Sequence, residues 1–228
     1  MLGAIIGDII GSRFEWDNIK SKEFTLFTER CFPTDDSIMT LAVAAALLEK
    51  HEKGGDLPKL AIKYMQDFGR RYPHAGYGVN FTKWLKEENP KPYNSFGNGA
   101  AMRVSPCAMV AHSLEEALDL AEQVTAISHN HREGIKGAKA LTTATYMAVS
   151  GRGIKEIKNA IEKDYYDIDF TLDEIRSDYS FDETCQGTVP QSLAAFFEST
   201  SYEDAIRNAI SIGGDSDTVA CITGAVAG

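Results

Sequence analysis

The sequence predicts an all-α fold, a single compact multi-helix bundle spanning 1-228. Three observations predict it. Apolar residues recur at helical spacing along most of the chain, strand-like alternation is nearly absent, and no Pro- or Ser-rich linker divides the 228 residues. A chain of this length is also long enough to bury a substantial core.

The elements follow in order. Leu2, Ile5, Ile6, Ile9 and Ile10 fall at helix spacing, with Asp8 interrupting the apolar run. No basic residue precedes this run and no small-residue cleavage site follows it, so it reads as a helix and not as a leader. Phe24-Thr25-Leu26-Phe27 is strand-like but has no evident partner. Residues 38–48 are Ala- and Leu-rich, which suits close helix packing. Residues 57–72 place Leu60, Ala61, Tyr64, Met65 and Phe68 on one face, and 114–127 do the same with Leu114, Ala117, Leu118, Ala121 and Val124. Segments 134–149, 154–161, 191–197, 202–212 and 218–226 extend the pattern to roughly ten helices. Pro106 is expected to kink the helix it sits in. Residues 163–184 are polar and irregular and read as a surface excursion. The final apolar run stops at Gly228 with no polar tail, which predicts a domain cut short at its C-terminus.

Bulk properties narrow the function. A net charge of -10 with Lys and Arg scattered along the chain argues against direct nucleic-acid binding. An anionic ligand would need a local device such as a helix N-terminus, a nest or a metal ion. Cys31, Cys107, Cys185 and Cys221 are far apart and fit neither a zinc site nor a disulfide scaffold. No run is long enough to span a membrane. The expectation is a cytoplasmic monomer with reduced thiols.

Two acidic clusters stand out. Thr34-Asp35-Asp36-Ser37 and Asp215-Ser216-Asp217-Thr218 each lead directly into an apolar helix. Capping accounts for one such residue per helix. It does not account for two carboxylates crowded against an apolar core, where they repel each other and resist desolvation. A cation removes that conflict, and carboxylate and hydroxyl oxygens suit Mg2+, Mn2+ or Ca2+ better than zinc. Gly213-Gly214 lets backbone approach the second cluster closely. An EF-hand is excluded by spacing.

Ser95-Phe96-Gly97-Asn98-Gly99-Ala100-Ala101-Met102-Arg103 reads as a loop entering a helix, either a plain Gly-rich turn or backbone N–H groups aimed at an anion. Ser128-His129-Asn130-His131 lies between helices, and an H-x-H pair binds zinc only with a third ligand in register. Nothing in its own surroundings singles out Glu15.

Taken in order, these segments resemble the ADP-ribosylglycohydrolase family, which includes the dinitrogenase reductase activating glycohydrolases and the ADP-ribosylhydrolases. Gly3 to Asp8 with Glu15, Thr34-Asp35-Asp36-Ser37, Ser95 to Arg103, Ser128-His129 and Gly213 to Thr218 each look like one of its motifs. The resemblance implies an all-α bundle around two divalent ions, Mg2+ or Mn2+, with Thr34, Asp35, Asp36, Asp215, Asp217 and Thr218 as metal ligands. It implies that Ser95, Phe96, Gly97, Asn98, Gly99, Met102 and His129 bind an ADP-ribosyl group, with Phe96 near the adenosine. It implies that Glu15 faces the distal ribose as the catalytic acid or base. The partner would be an ADP-ribosylated protein or a small ADP-ribosyl conjugate. Thr188 stands where arginine-specific relatives often carry tyrosine, which argues away from arginine, although Gly76-Tyr77-Gly78 offers another aromatic. Two alternatives remain open at this stage: a catalytically silent ADP-ribose-binding relative, and a zinc metallohydrolase built on His129 and His131.

Overall fold

The computed structural model describes residues 1–228 and contains thirteen α-helices and one 3-10 turn. The all-α expectation holds. The only bridge is an isolated one between Gly97 and Thr184, and Phe24–Phe27 forms no strand. No helix is long and apolar enough to cross a membrane.

The first helix, α1 (Leu2–Gly11), packs along the last, α13 (Ser216–Ala227). Small residues make that approach possible. A Cβ on Gly3 would stand 2.2 Å from the Gly224 carbonyl oxygen, one on Gly7 2.1 Å from that of Ala220, and one on Gly11 2.5 Å from that of Ser216. The three glycines recur every fourth residue, so they line one face of α1. The two backbones therefore meet directly, with no side-chain layer between them.

Helix α2 (Asp35–Lys53) starts at Asp35, so both aspartates of the first cluster lie inside its first turn. It packs on α3 (Leu57–Arg71), which Asp56 caps through the Lys59 N–H. Helix α4 (Val79–Lys86), which the sequence pattern did not reveal, is anchored by Trp84, whose Nε1 donates to the Ile127 carbonyl at 3.1 Å. The glycine loop ends in a single turn, α5 (Gly99–Met102), followed by α6 (Ser105–Val110). Pro106 kinks nothing. It sits in the first turn of α6, where its missing N–H is no loss.

Helix α7 (Leu114–Ala126) leads into α8 (Arg132–Val149), which runs through the middle of the bundle against α5, α6, α11 and α13. Helix α9 (Ile154–Asp164) follows. Residues 163–184 are largely irregular and run mostly over the surface, as expected, but are pinned to the core at three points. They bury Tyr166, Ile168 and Leu172 and include a short helix, α10 (Leu172–Ile175). Helix α11 (Cys185–Phe197) begins six residues before the apolar pattern at Gln191, with Thr184 as its cap and Pro190 inside it. Helix α12 (Tyr202–Ser211) precedes α13. One contiguous apolar cluster runs from Ala4 to Val226, so both ends of the chain share a core.

Gly7→Ala should destabilise the protein by about 3 kcal/mol or more, because its methyl would overlap a carbonyl that cannot move without parting α1 from α13. Gly153→Ala, where the nearest atom is 3.8 Å away, should change stability by less than about 0.5 kcal/mol. Thermal or urea melts of the two variants check the contrast.

Candidate active site

The two acidic clusters meet where α1, α2 and α13 converge. Asp8, in the middle of α1, is fully buried. It organises the start of α2 by accepting from the Thr34 N–H (3.0 Å), the Thr34 hydroxyl (2.6 Å), the Ser37 N–H (3.1 Å) and the Ser37 hydroxyl. The Thr218 hydroxyl donates to Asp36 Oδ2 at 3.1 Å, joining α13 to α2. The other Asp36 oxygen, Oδ1, is buried with no partner.

The carboxylates gather in two triads. Ligand oxygens of Asp8, Asp36 and Asp217 lie within 4.8 Å of one another, as do those of Glu15, Asp215 and Asp217. Asp217 belongs to both. Asp215 occupies the N-cap position of α13 but makes no capping bond. Gly213 and Gly214, at φ 71° and 76°, turn the chain so that the Asp215 carboxylate instead accepts from Asn98 Nδ2 at 2.7 Å. In the first cluster Thr34 caps α2 and the aspartates do not. Capping therefore explains one residue of the first cluster and none of the second.

No cation of the protein offsets these charges. None of Asp8, Glu15, Asp35, Asp36, Asp215 and Asp217 is within ion-pair distance of a Lys or Arg. Burial first, then the charge of Asp217, holds Asp35 and Asp36 well above the ordinary carboxylate range. Burial first, then Asp215, does the same to Asp217. Asp8 is raised by burial, against the pull of its four hydrogen bonds. Asp215 is pushed up to about 6 by burial, and Glu15 to about 7 by burial and then Asp217. An unpartnered buried oxygen, two oxygen-only triads and raised carboxylates fit divalent cations that prefer hard oxygen ligands.

Above the triads opens a cavity of about 480 Å³. Of the residues singled out from the sequence, Glu15, Asp35, Asp36, Ser95, Gly97, Asn98, Gly99, Met102, His129, Asp215, Asp217 and Thr218 line it. Thr34 does not; it sits beneath, its hydroxyl given to Asp8. Phe96 does not either. It is 42% exposed and packs on His131, with ring centroids 5.2 Å apart. His131 caps α8 by accepting from the Glu133 N–H through Nδ1, and no metal-competent group contains a histidine, so the zinc reading finds no third ligand.

Sequence reasoning missed several residues here. Asp8 closes the first motif of the sequence but was not among the expected metal ligands, and it joins Asp36 and Asp217. Tyr93, Phe81, Trp16 and Phe181 also line the cavity, beside Arg103 at the end of the glycine-loop motif. Trp16 and Phe181 stack at 5.1 Å beside Glu15, and no local pattern could have paired residues so far apart in the chain. Thr188, where an aromatic residue was looked for, is buried and accepts from Asn98 Nδ2 at 3.1 Å.

The family profile described as ADP-ribosylglycohydrolase matches residues 1–228. Human ADP-ribosylhydrolase ARH3 is 24% identical, over 100% of this chain and 83% of its own length. The Rhodospirillum rubrum ADP-ribosyl-[dinitrogen reductase] glycohydrolase is 29% identical, over 86% of this chain and 67% of its own. A solved structure titled ADP-ribosylglycohydrolase-related protein complex superposes with a TM-score of 0.73 over 99% of this chain and 83% of that one, at 22% identity. With the whole chain matched and the acidic triads set at the floor of its cavity, this protein belongs to the ADP-ribosylglycohydrolase family.

Proposed function

We propose that the protein hydrolyses the glycosidic bond at the distal ribose of ADP-ribosyl conjugates and releases ADP-ribose. The observation that carries this reading is the pair of carboxylate triads sharing Asp217 at the floor of a cavity sized for a nucleotide ligand. In this reading Asp8, Asp36 and Asp217 hold one divalent cation, and Asp215 and Asp217 hold a second, with Asp35, Thr34 and Thr218 completing the ligand set that the family resemblance implies. Mg2+ or Mn2+ would supply Lewis acidity to the ribose hydroxyls and to the attacking water.

The chain's own residues supply the rest. Ser95, Gly97, Asn98 and Gly99 face the diphosphate half, with Met102, Phe81, Tyr93 and His129 walling that end of the cavity. A contact of Phe96 with the adenosine rests on the family resemblance alone, since its ring packs on His131 and does not line the cavity. Departure of the leaving group builds positive charge at the ribose C1, which the surrounding carboxylates stabilise. Glu15 is the proton carrier at the leaving-group oxygen or nitrogen. In the metal-free site, burial first and then the Asp217 charge raise its carboxyl to about 7. It is also less buried than Asp217, its partner in the second triad.

A cationic or planar conjugate and an aliphatic one would be treated differently by the Trp16–Phe181 face beside Glu15. A panel of ADP-ribosyl-arginine, ADP-ribosyl-serine and O-acetyl-ADP-ribose, assayed for ADP-ribose release with and without chelator, identifies the linkage. Tight ADP-ribose binding with no metal-dependent release from any member would instead favour a silent binding relative.

Glu15→Gln should lower kcat by about a hundredfold or more while two metal ions stay bound, and near wild-type turnover would remove Glu15 from its role. Asp217→Asn, which touches both triads, should weaken metal binding by at least about tenfold and abolish turnover. Metal titrations by calorimetry, alongside turnover, check both variants.

Without metal, stability should depend on pH in a definite direction. A carboxylate whose pKa rises on folding binds more protons in the folded chain, so its contribution to stability falls as pH climbs from the unfolded value through the folded one. Asp215 at about 6 and Glu15 at about 7 place that loss between about pH 4 and pH 7. Mg2+ or Mn2+ should therefore raise Tm more at about pH 7.5 than at about pH 5. An equal rise at both would count against cations relieving carboxylate repulsion.

A further inference from the structure

Arg103 is the one basic side chain of fixed charge lining a cavity that otherwise carries Glu15, Asp35, Asp36, Glu183, Asp215 and Asp217. It is completely buried, and no carboxylate lies within ion-pair distance of it. Its Nε has no partner at all. One face of the guanidinium lies 5.4 Å from the centroid of the Phe81 ring. Burial pulls its pKa down only to about 10, so it stays charged at neutral pH. A buried, uncompensated guanidinium is costly to keep, and removing it would be the simpler solution if packing were its only role.

Its contacts run toward His129. Arg103 Nη2 donates to Ser128 Oγ at 2.8 Å and lies 3.4 Å from His129 Nδ1. Ser128 Oγ lies 2.8 Å from the same Nδ1. A guanidinium only donates. Because Arg103 Nη2 also stands 3.4 Å from Nδ1 as a donor, Nδ1 accepts, and the Ser128 hydroxyl then directs its own hydrogen to it. Both neighbours therefore make Nδ1 an acceptor, and the single ring proton of neutral His129 must sit on Nε2. Nε2 makes no hydrogen bond within the protein and faces the glycine loop. It lies 3.6 Å from where a Cβ on Gly97 would stand and 3.3 Å from one on Gly99. The absence of side chains there leaves room for a ligand atom in front of Nε2.

We propose that Arg103 is a positioning residue which, through Ser128, locks His129 as a neutral Nε2–H donor and supplies the fixed positive charge that lets this acidic cavity accept the diphosphate of its ligand over Gly97–Gly99. Two devices are combined. The charge stands against Ser128 and His129 with no carboxylate in ion-pair contact, and the Nε2 donor cannot be lost by deprotonation in the working pH range. The assignment of diphosphate as the ligand group rests on the function proposed above. The tautomer lock does not.

Side-chain 15N NMR of His129 in the wild-type protein tests the lock directly. The expected signature is the Nε2–H tautomer, unchanged from about pH 5.5 to pH 8, and an Nδ1–H tautomer or a protonated ring would overturn the proposal. Ser128→Ala should let the tautomers mix, and a spectrum identical to wild type would also overturn it. ADP-ribose and ADP, each titrated by calorimetry, test the charge. Arg103→Met should weaken both by about tenfold or more, Arg103→Lys by less, and His129→Gln, which keeps a neutral donor, should bind better than His129→Phe. Folding of each variant is checked by its thermal melt. If Arg103→Met does not fold, the Arg103→Lys and His129 pair decide the question. Unchanged affinity in folded Arg103→Met, or equal losses in the two His129 variants, would sink the proposal. A wild-type protein that binds neither nucleotide would instead refute the proposed function, with the NMR result still deciding the tautomer.

Discussion

The close approach of α1 and α13 is the constraint on which the rest of the structure depends. Gly3, Gly7 and Gly11 on one helix meet the carbonyls of Gly224, Ala220 and Ser216 on the other, so no side-chain layer separates them. Helices joined this closely have little freedom to slide or rotate, because backbone atoms have no alternative rotamers. Asp8 projects from the first of these helices and Asp217 from the second. The glycine ladder therefore sets the spacing of the carboxylates on which both triads rest.

That spacing is costly in itself. Carboxylates this buried and this close hold one another's protons on, and Arg103, the one Lys or Arg lining the cavity, is turned toward Ser128 and His129. Hydrogen bonds offset part of the crowding: Thr34 and Ser37 on Asp8, the Thr218 hydroxyl on Asp36, the Thr218 N–H on Asp217, and Asn98 on Asp215. One oxygen, Asp36 Oδ1, is left over. Buried polar atoms are seldom orphaned, and those that are tend to mark functional positions. The cavity thus has two ends of opposite character, an acidic floor suited to cations and a Gly97–His129 end backed by Arg103.

Much of this was legible locally. The long helices follow from apolar spacing, and the two T/D clusters could be recognised because a cap needs one carboxylate and each segment supplies two. Errors fell where a single residue has two readings. Pro106 breaks a helix interior but also opens a helix, and only the break at Val104 decided between them. Residues 163–184 look polar on average, yet Tyr166, Ile168 and Leu172 find a core contributed by other helices. Helix α4 is too short for its periodicity to be told from a turn, and it is held by the long-range bond from Trp84 to Ile127.

By itself the sequence determined the helical class, the acidic character of both clusters and, through the order of five motifs, the family to which they are similar. These are properties of residue type and short spacing, which the backbone's periodicity converts directly into local structure. Only the tertiary structure decided which carboxylates meet. It recruited Asp8 from an apolar helix, shared Asp217 between two triads, turned Asp215 from its capping position toward Asn98, and packed Phe96 on His131 outside the cavity lining. It also placed Arg103 against Ser128 and His129, which follow it in the chain by 25 and 26 residues with α6 and α7 between. Which side chains converge depends on how helices distant in the chain pack together, and no pattern within a single segment carries that information.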